Sequence, residues 1–324
     1  MKPTYVRAPK EPTTEEREEH ELTHLPYRAW CKHCVRGRGK SEAHKELHAE
    51  QQHTVPHVSM DYCFMGQDES KCLPILVVRD HASRFTFAQV MPMKGTKHVY
   101  CAKQLLANIE VLGHPELLVK TDQEPAILDL RNALLTECKT RGTTVLKEES
   151  PIGESQSNAV IERTVQDIEG LIRTLKDSLE SKYNTKLDSK HPVLAWLVNH
   201  AGFLRSRFQL SADGLTSYER LKGKPFRRKL FDFAECVHFM PIGKNFGQRK
   251  QLNKLDVRWR DGTFPGCKET TNEYFVGTPT GVVRAYSIRR KIAAEQYVAE
   301  ELLAVQGTPW QPVPSVPLKW DRWS

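Results

Sequence analysis

The sequence has no apolar run approaching the ~18 residues that span a bilayer. Its first residues, Met1-Lys2-Pro3-Thr4, lack the apolar core of a signal peptide. The expectation is a soluble chain with no membrane partner. A disulfide framework is missing too: eight cysteines are scattered, and only Cys31 and Cys34 are closely spaced. That usage fits a reducing, intracellular compartment. Acidic residues are scarce in one stretch, since residues 220–291 carry 17 Lys and Arg against 6 Asp and Glu. This surplus exceeds the whole chain's net charge of +8, so the basicity sits in one C-terminal module and favours an anionic partner there.

What is present is a chain of 324 residues with 39% hydrophobic content, enough for two or three domains and a substantial core. From Val58 the pattern is α/β. Alternating apolar positions in His57–Met65 predict a strand with Asp61 midway along it, and Leu73–Arg79 and Phe85–Met91 predict two more, forming an antiparallel meander. A helix over Lys97–Leu112 stops at Gly113, and the run Leu117-Leu118-Val119 then delivers Asp122 at a strand end. A helix over Ala126–Arg141 and a short strand Thr144–Lys147 follow. Next comes a long helix starting near Asn158 with Glu162 in its first turn, and a core-packing helix over His191–Phe208. A mixed sheet flanked by helices is the expected product.

Three carboxylates, Asp61, Asp122 and Glu162, are thereby set on strand, strand and helix. An acid inside an apolar strand is costly to bury without partners, so a metal site explains Asp61 better than packing does. Asp122 also reads as a turn-capping residue, and Glu162 as an ordinary first-turn Glu favoured by the helix dipole. Converging, the three suit a hard divalent cation such as Mg²⁺ or Mn²⁺. Two such ions about 3.5–4 Å apart clamp the attacking and leaving oxygens of a phosphoryl displacement.

Upstream, His20, His24, Cys31 and Cys34 fall within fifteen residues, the two histidines one helical turn apart and the cysteines in a Cys-x2-Cys knuckle. That spacing suits tetrahedral Zn²⁺, with His33, His44 and His48 as substitutes for one ligand. The rival reading is surface histidines and spare thiols. Near the other end, Glu235–Met240, Arg258–Phe264, Glu273–Gly277 and Gly281–Ile288 alternate with glycine-marked turns and predict a small β-barrel. Arg249, Lys250, Lys254, Arg258, Arg260, Arg289, Arg290 and Lys291 give it a basic face for phosphates without base specificity, or a nuclear-import or solubilising face.

The βββαβαβ order, with Asp61 in the first strand, Asp122 after the fourth and Gln156-Ser157-Asn158-Ala159-Val160-Ile161-Glu162-Arg163 at a helix start, resembles the catalytic core of retroviral and retrotransposon integrases. Thr216–Pro225, Lys254-Leu255-Asp256 and Tyr274-Phe275-Val276-Gly277 resemble copia-type elements, and the His/Cys cluster is similar to their N-terminal zinc module. The likeness covers roughly residues 20–290. It implies a ribonuclease H-like fold with a D,D,E triad of Asp61, Asp122 and Glu162 holding two Mg²⁺ ions, and metal-dependent 3′-end processing and strand transfer of element DNA. It also implies contacts from Gln156, Ser157 and Asn158 to the DNA end, a homo-oligomer, and action in the nucleus. Departures stand beside it. Thirty-nine residues separate Asp122 from Glu162, the His24-to-Cys31 spacer is short, Ala159 stands where Gly is common, and Gln166 and Glu169 replace basic residues. A cut-and-paste transposase and a non-catalytic DNA-binding relic are the alternatives. The expected organisation is a tail (1–19), a zinc segment and linker (20–56), the core (57–210), a linker (211–230), the barrel (231–292) and an extended tail (293–324).

Overall fold

Alternation along the first core strand decides the layering. In the computed structural model, which describes residues 8–39, 55–66, 72–148, 155–242, 255, 257–271 and 273–314, β1 (His57–Phe64) sends Val58, Met60 and Tyr62 to one face and Cys63 to the other. On β2 (Pro74–Asp80), Leu76 and Val78 join the first set, Ile75 and Val77 the second. A strand buried on both faces needs helices on both sides. With β3 (Thr86–Val90), β4 (Glu116–Thr121) and β5 (Thr144–Glu148) they form one mixed sheet, ordered β3-β2-β1-β4-β5. β1, β2 and β3 are antiparallel neighbours, as expected, and β1, β4 and β5 run parallel.

One face is covered by α3 (Val99–Leu112) and α4 (Pro125–Thr140), the other by α5 (Ser155–Tyr183) and α6 (Pro192–Phe208). Gly113 ends α3 in the left-handed conformation, as its position in the sequence suggests. The long helix begins at Ser155 rather than near Asn158, which places Glu162 in its second turn. Gly202 lets α6 lie directly on β3, since a Cβ there would stand 2.7 Å from the Ala88 nitrogen.

One end of the sheet's inner strands is tied by an ion pair between Asp80, the last residue of β2, and His114, just before β4. Asp80, fully buried, lies 3.2 Å from Nε2 of His114 and accepts bonds from the Ser83 amide and hydroxyl. The Asp80 carboxylate raises the His114 pKa, against burial, which lowers it. The Asp80 carboxyl is itself held below its usual range by the bonds from His114 and Ser83, which outweigh burial, so it stays charged near neutrality. A histidine raised in the folded state contributes stability fully below its unfolded value near ~6.5 and loses it as pH rises through the folded value. Urea midpoints should therefore fall from pH 6 to pH 8.5. His114→Gln should flatten that slope and cost roughly 1.5–3 kcal/mol at the lower pH.

Beyond the core the chain is more ordered than the sequence suggests. Residues 211–230 contain α7 (Ser217–Lys222), closed by a capping box between Thr216 and Glu219. Then β6 (Cys236–Pro241), β7 (Arg260–Cys267), β8 (Tyr274–Thr278) and β9 (Gly281–Arg290) close into the expected four-stranded barrel. The barrel sits on α6, with Phe233, Phe264 and Val276 in the same apolar cluster as Trp196, Leu197 and Leu204. Arg207 of α6 fastens the two bodies: its guanidinium lies 3.8 Å from the Phe203 ring centre, with Phe226 and Tyr218 at 5.2 Å, and pairs with Glu269 of the barrel.

The expected extended tail is a correction, for as far as residue 314 the chain is packed. A 3-10 turn (Ala293–Glu295) and α8 (Ala299–Leu303) precede a segment whose Gly307 carbonyl accepts from Trp196 Nε1 at 2.9 Å. Leu302 and Val305 are fully buried. The N-terminal tail is corrected in part as well: α1 (Thr14–Glu21) starts from a Thr13–Glu16 capping box.

Candidate metal centres and active site

The period of two along a strand puts Asp61 on the side of β1 that faces α5. Asp122 follows the last residue of the parallel neighbour β4. Ile161 and Glu162 come down from α5, and all three acids line one cavity of about 90 Å³ together with Ser59, Met60, Lys120 and Thr121. Asp61 and Asp122 are half-buried and Glu162 is exposed, so the cavity opens on the helix side. Asp122 also accepts from the Glu124 amide at 3.2 Å, so its turn-capping reading holds alongside the other.

Electrostatics links the same residues. Burial pushes the Asp61 carboxyl up to about 6, and the charges of Asp122, Glu124 and Glu162 push the same way against the Tyr62 amide bond. Clustered carboxylates of this kind are stabilised by a cation, and oxygen donors are what Mg²⁺ and Mn²⁺ take. The residues fit the ion. Glu124 went unnoticed in the sequence although it stands two residues from Asp122; it is paired with Lys94 at 2.7 Å. Ser59 and Lys120 were equally legible by the period of two, each lying two positions before an acid. A larger cavity of about 600 Å³, between α3, α6 and the barrel, contains none of the three acids.

The second cluster is His20, His24, Cys31 and Cys34. Their ligating atoms all lie within 4.8 Å of one another, and all four residues are buried. Cys34 Sγ is 3.3 Å from His20 Nε2, and Cys31 Sγ is 3.5 Å from His24 Nδ1. The geometry differs from the expected helical pair: His20 ends α1, whereas His24 lies past it with a left-handed φ of 52°. Cys31 and Cys34 bracket the start of α2 (Lys32–Arg38). A hydrogen bond from Cys34 holds the Cys31 thiol well below its usual range, aided by His20 and His24, and burial keeps His24 neutral. Two cysteine sulfurs, one of them held as thiolate, beside two imidazoles make a soft donor set of four, which fits tetrahedral Zn²⁺. His33 is not among the four clustered residues, and its Nδ1 lies 2.6 Å from Asp177; His44 and His48 lie outside the described residues.

This module is fastened to the helix that carries Glu162. A Cβ on Gly37 would fall 2.3 Å from Thr174 Oγ1 of α5, so only glycine permits the crossing of α2 on α5. Asp177 of α5 takes both His33 and Arg36, and Arg173 donates to the Gly37 carbonyl.

The basic candidates divide. Arg258 and Arg289 are exposed, Arg289 over the Trp259 ring at 5.2 Å. Arg290 is held by Glu235 at 2.8 Å. Lys291 is a correction to the phosphate-facing set, since it is buried and paired with Glu301 at 2.8 Å and Asp261 at 3.6 Å. Arg249, Lys250 and Lys254 lie outside the described residues, and Gln156, Ser157 and Asn158 are on the first turn of α5 with side chains outside them. All eight cysteines are free, and no helix among the described residues is long and apolar enough to cross a membrane.

No protein-family model matches the chain, and no curated protein does. Among solved structures it is similar to the catalytic core domain of BIV integrase, at 21% identity over 51% of this chain and 92% of that one, with a TM-score of 0.35. It is similar to the HTLV-2 integrase catalytic core domain in complex with magnesium, at 15% identity over 52% and 99%, TM-score 0.38. A third is the simian T-cell lymphotropic virus intasome in complex with PP2A regulatory subunit B56 gamma, at 12% identity over 85% and 98%, TM-score 0.37. At those values the likeness is remote. The cavity's own residues carry the functional conclusion.

Proposed function

We propose that the chain is an integrase of the retrotransposon type, which trims the 3′ ends of element DNA and joins them to target DNA in the nucleus. The observation that carries this reading is the meeting of Asp61, Asp122 and Glu162 in one cavity, from two adjacent strands and a facing helix. Bound Mg²⁺ or Mn²⁺, two ions in the full site, would supply Lewis-acid stabilisation to the attacking and leaving oxygens. Asp61 and Asp122 hold fixed oxygens from the sheet, and Glu162 closes the set from α5. Water first attacks the phosphorus of a phosphodiester near the element's 3′ end and expels the element's 3′-oxygen, so that the terminal nucleotides leave with a 5′-phosphate; the freed 3′-hydroxyl then attacks a target phosphodiester and expels the target's 3′-oxygen. Gln156, Ser157 and Asn158 begin the same helix and take the DNA end, while Arg258 and Arg289 meet phosphates from the barrel together with Arg249, Lys250 and Lys254. The His/Cys cluster holds Zn²⁺, and the working form is a homo-oligomer.

A labelled short duplex mixed with plasmid DNA and Mn²⁺ or Mg²⁺ tests this. Joined product at plasmid sites, dependent on the cation, is the expected result. Double-strand cleavage with hairpin or blunt ends would instead indicate cut-and-paste transposition, and DNA binding with no nicking under either cation would indicate a relic.

A further inference from the structure

The acid cavity has a polar floor that the three carboxylates do not explain. Ser59 stands two residues before Asp61 on β1, lines the same cavity, and is 2% exposed. A buried serine on a strand of apolar neighbours commonly settles its hydroxyl on nearby backbone. This one instead reaches a side chain from the end of β2: its Oγ lies 2.8 Å from His81 Nε2. The His81 ring is stacked on His57 with centroids 3.6 Å apart, and the His81 amide donates to the His57 carbonyl at 2.9 Å, so the imidazole is fixed in place. In the β1–β4 register Ser59 is opposite Lys120, which closes the floor beside it.

A hydroxyl has one proton and two lone pairs. When Nε2 accepts the proton, it is drawn away from the acids and the oxygen presents lone pairs to the cavity. Mg²⁺ and Mn²⁺ take six oxygens, more than three carboxylates supply one apiece, and a serine hydroxyl is an accepted donor to Mg²⁺. We propose that Ser59, turned by His81, is a fourth oxygen donor to the cation held by Asp61, Asp122 and Glu162. This rests on the acid-site reading above. His81 touches neither cation nor substrate and is a positioning residue.

Calorimetric titration of the full chain with Mn²⁺ separates the two ideas. Ser59→Ala should weaken Mn²⁺ binding about 10–100-fold, with an unchanged melting temperature in EDTA. Ser59→Thr should restore the affinity, and His81→Phe, which keeps a ring against His57, should show an intermediate loss. Wild-type affinity in Ser59→Ala overturns the proposal, as does a lower melting temperature in EDTA with unchanged affinity, which would make the Ser59–His81 bond structural. If Ser59→Ala does not fold, wild-type affinity in His81→Phe overturns it equally. Asp122→Asn is the control: binding as tight as the wild type there removes the acid site itself, and the Ser59 assignment with it.

Discussion

Glu162→Gln should lose at least about 100-fold of cation-dependent nicking and joining while keeping the fold and DNA binding, since even groups supporting a metal ligand are worth about 10–100-fold. Glu162 is exposed, and surface substitutions usually stay within about 0.5 kcal/mol of wild-type stability. A loss of activity is then chemical. Asp61 gives a complementary result. Its carboxyl, raised by burial and by Asp122, Glu124 and Glu162 to about 6, has a folded-state pKa above the unfolded one. The ionised group therefore costs stability above that pH, and the cost fades as pH falls through about 6 toward the ordinary carboxylate range. A cation offsets it. At 100 times its dissociation constant a ligand adds about 2.7 kcal/mol, so Mn²⁺ should raise the wild-type melting temperature at pH 8. The rise should shrink below pH 6, where protons compete. In Asp61→Asn the apo protein should melt higher at pH 8 and Mn²⁺ should add little.

Removing zinc should have the largest structural effect. The described N-terminal module, residues 8–39, is below the ~40 residues at which a domain usually needs a metal, disulfides or a partner to fold. Its interior is made largely of the four ligands, and its α1 has few apolar residues to bury. Structural zinc supplies on the order of 10–16 kcal/mol in small peptides. Strong chelation, or Cys34→Ser, should unfold residues 8–39 and expose the face of α5 around Thr174. Amide exchange should show lost protection in α1 and α2, and weaker loss on the middle of α5, with the sheet unchanged. Protection unaltered by chelation would mean that the cluster folds as a metal-free core.

The acids were legible because strand period and a strand-to-helix transition place residues without any knowledge of contacts. Asp61 and Asp122 sit where the apolar runs put them, and the barrel followed from turn glycines. The module at Ala293–Leu303 was not legible, since its elements are a 3-10 turn and a helix of five residues, too short for a periodic pattern; α8 exists because Leu302 is buried on the barrel. α7 had a readable signal, Thr216-x-x-Glu219, which is a capping box. The start of α1 carried the same kind of signal in Thr13-x-x-Glu16, masked by glutamates that suit a solvated tail equally well. Lys291 misled because a run of three basic residues says nothing of which one Glu301 and Asp261 will claim from across the barrel.

The crossing of α2 on α5 decides which small changes the N-terminal module tolerates. Its seat is specified by surfaces: the missing side chain of Gly37 against Thr174, and Asp177 between His33 and Arg36. The side chain that matters most to the docking is therefore one that is not there, and a single methyl group at position 37 would hold two helices apart that four metal-ligand candidates and an ion pair bring together.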